Sequence, residues 1–173
     1  MVTRRNFLVT MALVALSGYS GNVFGLDKKE RVIELYNIHT CERIKVKYYY
    51  AGNYDRESLD QINYLMRCHY TNEVKSIDPN VIDLLCDIKD VVDRNKEVHI
   101  ISGYRSHQYN EYLRGMGRGV ACNSLHLQGR AIDFRIPRVD NRKLSVLARS
   151  FYSGGVGTYP EFIHIDDGRI RYW

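Results

Sequence analysis

The chain has 173 residues, 45% of them hydrophobic and 26% charged. That balance excludes a disordered chain, a collagen and a coiled coil, and the length suits one domain of the usual ~100–150 residues or slightly more. Lys and Arg outnumber Asp and Glu by 25 to 20. No basic helix or aromatic-basic platform accompanies this mild excess, so no nucleic-acid partner is expected.

The chain opens with Arg4 and Arg5, then Asn6, Phe7 and Leu8, an apolar run to Leu16, and small residues. A basic start, a short apolar stretch and a small-residue exit form a signal-peptide pattern. About ten apolar residues are too few for a membrane span, which needs ~20. An adjacent arginine pair in this place marks a twin-arginine signal, which addresses folded proteins for export. Residues 1–25 are therefore expected to be a twin-arginine-type signal, cleaved after Ser20 or Gly25. The export machinery is then a partner, residues 26–173 are the mature domain, and no membrane span remains after processing. Cys41, Cys68, Cys86 and Cys122 lie outside any C-x-x-C pair, so a zinc knuckle is not indicated. Two disulfides and four thiols both stay open.

Arg31 to Tyr36 alternates apolar and polar residues, the period of a half-buried strand. Arg43 to Tyr50 alternates again, with Ile44, Val46, Tyr48 and Tyr50 on one face, so the two runs predict a hairpin. Asp55 or Ser58 can cap a helix reaching about His69, with Leu59, Ile62, Leu65 and Met66 inward. Asp78 and Pro79 open a second helix, with Val81, Leu84, Leu85, Ile88, Val91 and Val92 as its apolar face. A short strand follows over Val98 to Ser102, then a helix over Gln108 to Arg114 and a glycine-broken loop over Gly115 to Gly119. Arg130 to Ile136 reads as a strand, Asn141 to Tyr152 as a helix, and Phe162 to Asp166 and Arg169 to Trp173 as strands. Helices and strands intermix without a βαβ rhythm. The expected class is α+β: one domain with a mainly antiparallel sheet and helices packed around it.

Two stretches carry chemistry. In the strand Arg130 to Ile136, Ile132, Phe134 and Ile136 share the core face, while Ala131, Asp133 and Arg135 share the other. A carboxylate flanked by Ile and Phe is costly to bury unless something pairs with it, and a metal ion is one such partner. In Phe162 to Asp166, Ile163 and Ile165 face the core and Phe162, His164 and Asp166 face away. If the two strands are neighbours, Asp133 and His164 converge, and His126 from the preceding turn adds a second imidazole. Three protein ligands with one open position form a catalytic zinc site. His39, His69, His99 and His107 are taken as structural or surface residues.

These residues also carry a resemblance. Ser102-Gly103-Tyr104-Arg105-Ser106, then Ser124, His126, Gly129, Ala131, Asp133 and Phe134 at their spacing, then Gly154 to Pro160 with His164-Ile165-Asp166, resemble the YcbK-like (MepK) murein endopeptidases. Leu35-Tyr36-Asn37 with His39-Thr40 extends the likeness towards the start, over Leu26 to Trp173. That group sits among the zinc metallopeptidases related to lysostaphin, the D-Ala-D-Ala dipeptidases and sonic hedgehog. The resemblance implies Zn2+ held by His126, Asp133 and His164, a peptide cross-link of peptidoglycan as substrate, and a periplasmic setting. Glu161 is the first candidate for general base, three residues before His164 as in the dipeptidases; Asp166 is the alternative base or a partner that orients a ligand. Arg105 resembles the arginine that steadies the developing oxyanion. Ser124 can hydrogen-bond the substrate or cap the turn, and Tyr104 and Tyr159 are candidates to line the groove. Two rival functions stay open: a D-Ala-type carboxypeptidase acting on stem peptides, and a wall-binding module that keeps the metal but has no turnover.

Overall fold

The computed structural model describes residues 30–173. The segment read as a signal, with Arg4, Arg5 and both cleavage points, lies outside them. The alternating run near the start forms β1 (Glu30–Asn37), and the next forms β2 (Arg43–Tyr50), antiparallel to it. Ile33, Leu35, Val46 and Tyr48 are buried as the alternation requires. Tyr50 is not: a register shift opposite Arg31 and Val32 inserts an extra residue in β2, and Tyr50 turns out to 50% exposure. The chain then adds a short edge strand, β3 (Asn53–Tyr54), on β2.

Asp55 caps α1 (Arg56–Leu65) by accepting the Ser58 N–H at 2.9 Å. The helix stops four residues short of His69, because the chain turns so that the Met66 carbonyl accepts the Tyr104 N–H at 2.9 Å. Asp78 caps α2 (Pro79–Val92), with proline in the first turn, where a missing N–H costs nothing. Val81, Leu84, Leu85 and Ile88 are buried, whereas Val91 in the last turn is 62% exposed. The order continues with β4 (Val98–Ser102), α3 (His107–Gly115), one turn of 3-10 helix (Leu125–Gln128), β5 (Ala131–Arg135) and α4 (Asn141–Ser150). It ends with β6 (Gly155–Thr158), β7 (Ile163–Asp166) and β8 (Arg171–Tyr172).

The strands form one eight-stranded sheet in the order β3-β2-β1-β4-β5-β7-β6-β8. It is mixed: β1 runs parallel to β4 and β6 parallel to β8, while the other pairs are antiparallel. One core lies between one sheet face and the apolar sides of α1, α2 and α4, and it holds Ile132, Phe134, Ile163 and Ile165. Each such side chain contributes about 1.5–3 kcal/mol by leaving water. The period of two then sends Asp133, His164 and Asp166 to the opposite face. No disulfide links the four cysteines, all of which lie among the described residues; Cys41 and Cys122 are exposed, Cys68 and Cys86 buried.

Candidate metal centre

Asp133 and His164 are direct partners across the β5–β7 ladder, so adjacent antiparallel strands place their side chains together. His126 arrives from the 3-10 turn. Gly129 ends that turn with φ 69°, and a side chain there would collide with the Ser76 carbonyl. All three residues are buried. His126 Nε2 lies 3.2 Å from His164 Nδ1 and 3.3 Å from Asp133 Oδ1, and His164 Nδ1 lies 2.8 Å from Asp133 Oδ1. Among the described residues this is the only cluster of three such side chains placed to hold a metal ion.

The far sides of both rings are fixed. His126 Nδ1–H donates to the Gly103 carbonyl at 2.8 Å, which leaves Nε2 with its lone pair facing the cluster. His164 Nε2–H donates to Asp166 Oδ2 at 2.9 Å, which directs Nδ1 inward. Burial pushes the Asp133 carboxyl up, but the charge and hydrogen bonds of His126 and His164 hold it well below the usual carboxylate range. Burial disfavours a charged His164, yet hydrogen bonds to Asp133 and Asp166 lift it to about 9. Burial lowers His126, against the pull of Asp133. One proton on His164 Nδ1 is thus surrounded by a carboxylate and a second imidazole. A divalent ion fits in its place, because two imidazoles and one carboxylate are a common zinc donor set with an open fourth position. Orientation of each ring from its far nitrogen is the usual support for such ligands.

Asp166 is fully buried beneath His164. It also accepts the Gly155 and Gly168 N–H groups at 3.1 and 2.9 Å and both terminal nitrogens of Arg171 at 3.1 and 2.7 Å. Burial would raise its pKa, but His164, the Gly168 N–H and Arg171 together hold it far down. It therefore stands as the partner that orients His164. Glu161 is placed differently. It lies exposed in the turn before β7 and does not line the cleft. It sits in the bend before β7 starts at Ile163, so the strand's alternation does not carry it to the His164 face.

The cluster forms the floor of a cleft of about 390 Å³. Arg105, Ser124 and Tyr159 line it, as do Phe162 and Trp173. Ser124 sits at the head of the 3-10 turn but its side chain makes no capping bond. Arg105 is 8% exposed, and its buried Nε has no hydrogen-bond partner among the described residues. Its terminal nitrogens reach Asp133 Oδ2, Ser102 Oγ and Asn110 Oδ1 only at 3.5 Å each. Tyr104 does not line the cleft. It lies in the bend after β4 and turns into the core, with its hydroxyl 3.4 Å from Glu73.

The sequence reading missed Arg171 and Trp173. Trp173 packs on His164 with ring centres 5.3 Å apart and donates from Nε1 to the Tyr159 hydroxyl at 2.9 Å. The signal for it was indirect: Gly157 lies under the indole, where any side chain would collide. Phe162, expected on the same face as His164, stacks on Tyr159 at 4.6 Å.

A family model described as peptidoglycan L,D-endopeptidase MepK matches residues 26–173. The chain belongs to the MepK family. It is 40% identical over 147 residues to the peptidoglycan L,D-endopeptidase MepK of Escherichia coli K12, covering 84% of this chain and 81% of that protein. It is 41% identical over 148 residues to a probable peptidoglycan L,D-endopeptidase MepK of Haemophilus influenzae, covering 84% and 80%. No solved structure matches the chain. In this MepK-family chain the run Ser102 to Ser106 divides its tasks residue by residue. Gly103 packs on Met66, where a Cβ would approach within 2.6 Å, and its carbonyl fixes His126. Tyr104 enters the core, Arg105 enters the cleft, and Ser106 caps α3 by accepting the Tyr109 N–H at 3.2 Å.

Proposed function

We propose that this chain is an exported zinc peptidase that hydrolyses L,D-type peptide cross-links of peptidoglycan in the periplasm. One observation carries the reading: Asp133, His126 and His164 converge beside the under-partnered guanidinium of Arg105, at the floor of an open cleft. The L,D specificity follows the names of the relatives, and export follows the Arg4-Arg5 start.

His126 Nε2, His164 Nδ1 and Asp133 would hold the ion. When bound, zinc supplies a Lewis acid and a water whose pKa falls from 15.7 to about 7. The chain's own groups do the rest. Asp166 keeps the His164 ring turned so that Nδ1 points inward. Arg105 presents a fixed cation where the scissile carbonyl oxygen gains charge, an effect worth roughly 2.7–4 kcal/mol by analogy with oxyanion holes. Its terminal nitrogens, held only at 3.5 Å by their protein partners, keep hydrogen-bonding capacity for a substrate oxygen. Ser124 offers a hydroxyl to the peptide, and Tyr159, Phe162 and Trp173 form the wall beside it.

The test is mass spectrometry of defined cross-linked muropeptide dimers incubated with the purified protein, with and without chelator. Conversion to two monomers, lost with chelator and restored by zinc, is the expected result. Release of D-Ala from uncross-linked stems instead would make it a carboxypeptidase. Binding of wall fragments with zinc present but no cleavage would make it a binding module.

A further inference from the structure

The cleft holds more positive charge than the reaction uses. Asp133 is the only carboxylate in its lining, and the cation Arg171 is already paired with Asp166. Arg105 lies within 3.5 Å of Asp133 and so belongs to the reacting carbonyl. A second guanidinium, Arg118, lines the same cleft, is exposed, and makes no side-chain hydrogen bond or ion pair among the described residues. It is not on a loose loop. The Arg118 N–H donates to the Leu113 carbonyl at 3.1 Å, and the buried Asn110 side chain donates to the Ala121 carbonyl at 3.1 Å. Those bonds tie both sides of Arg118 to α3.

We propose that Arg118 is a specificity residue that takes a free carboxylate next to the scissile bond. The inference rests on the peptidase reading and deepens it. A cross-link formed on the amine of an amino-acid centre leaves that centre's own carboxylate one carbon from the scissile nitrogen. A cleft with one cation for the carbonyl oxygen and a second for an adjacent carboxylate matches that chemistry. Arginine suits the task because its planar fork grips a carboxylate with two parallel hydrogen bonds. The ligand class is thus an anionic cross-linked peptide, and the same peptide with that carboxylate amidated is a poor substrate.

The experiment compares two synthetic cross-linked peptides, identical except for a free carboxylate or a primary amide beside the scissile nitrogen. Both are given to the purified, zinc-supplied protein and to Arg118→Gln and Arg118→Lys. The wild type should prefer the acid by on the order of 10- to 100-fold, the usual worth of hydrogen bonds to a charged group. Arg118→Gln should lose that preference, with the change in KM rather than kcat, because the contact is made equally before and during reaction. Arg118→Lys should restore part of it. Retention of the full preference in Arg118→Gln, or its absence in the wild type, overturns the proposal. Calorimetric binding of the same two peptides is measured in parallel. If nothing is cut, the peptidase reading fails on its own. The acid-to-amide binding ratio, lost or kept in Arg118→Gln, then still decides the role of Arg118.

Discussion

Asp166→Asn is the substitution that tests the site's geometry most directly. The carboxylate accepts from His164 and Arg171 at Oδ2, and from Gly155, Gly168 and Arg171 at Oδ1. Asparagine is nearly the same size but keeps only one accepting oxygen. Two backbone N–H groups demand that oxygen at the Oδ1 position, so the amide nitrogen falls at Oδ2, donor against the His164 Nε2–H. The ring escapes this clash by moving its proton to Nδ1, the atom proposed to hold the metal. Losing such an orienting partner typically costs 10- to 100-fold in metal affinity or activity, about 1.4–2.7 kcal/mol. The buried donors left poorly matched add about 1–3 kcal/mol of lost fold stability, roughly 2–4 °C per kcal/mol for a domain of this size. Zinc affinity by chelator competition, rate on a cross-linked dimer, and thermal midpoint are measured on one preparation. Wild-type zinc affinity and rate in Asp166→Asn would refute the role assigned to Asp166, whatever the thermal midpoint does.

Replacement of His126, Asp133 or His164 by Ala should each remove bound metal, read as zinc content per chain, because two remaining donors cannot enclose the ion. Glu161→Gln should leave the rate within about threefold of wild type, since the residue is exposed outside the cleft; a fall of ~10²–10⁴ would return the base role to it. His69 should make stability depend on pH. Burial, then the charges of His39 and Arg105, lowers it to about 4. Between about pH 4 and its ordinary ~6.5 the unfolded chain binds more protons, so stability rises with pH across that window. His126 is also lowered and adds to the slope, so the flattening of urea midpoints in His69→Gln isolates the His69 share. Arg4→Lys with Arg5→Lys keeps the charge, and should leave the protein in the cytoplasm by fractionation if a receptor reads the arginine pair.

The parts of the site that follow a two-residue period were legible in the sequence. Ile132 and Phe134 against Asp133, and Ile163 and Ile165 against His164, define an inner and an outer face, and the β5–β7 ladder realises both. The position of Glu161 was not legible, because it sits in the bend before β7 starts at Ile163 and the alternation of that strand does not extend to it. Tyr50 was misplaced because alternation does not announce a bulge. β6 was unread because Gly155-Val156-Gly157-Thr158 has no apolar alternation; its glycines serve Asp166 and Trp173, which lie far along the chain. Arg171 and Trp173 enter the site only through the parallel β6–β8 pairing, which no local pattern encodes. This division has a functional consequence. Asp133 and His164 ride on paired interior strands, so their geometry is as rigid as the core behind them. Arg118 rides outside the sheet, on a loop tied to α3 by a few bonds. On the role proposed for Arg118, changes in residues 115–123 would alter which peptide is accepted while His126, Asp133 and His164 stay fixed, so chemistry and substrate preference would be separable on this scaffold.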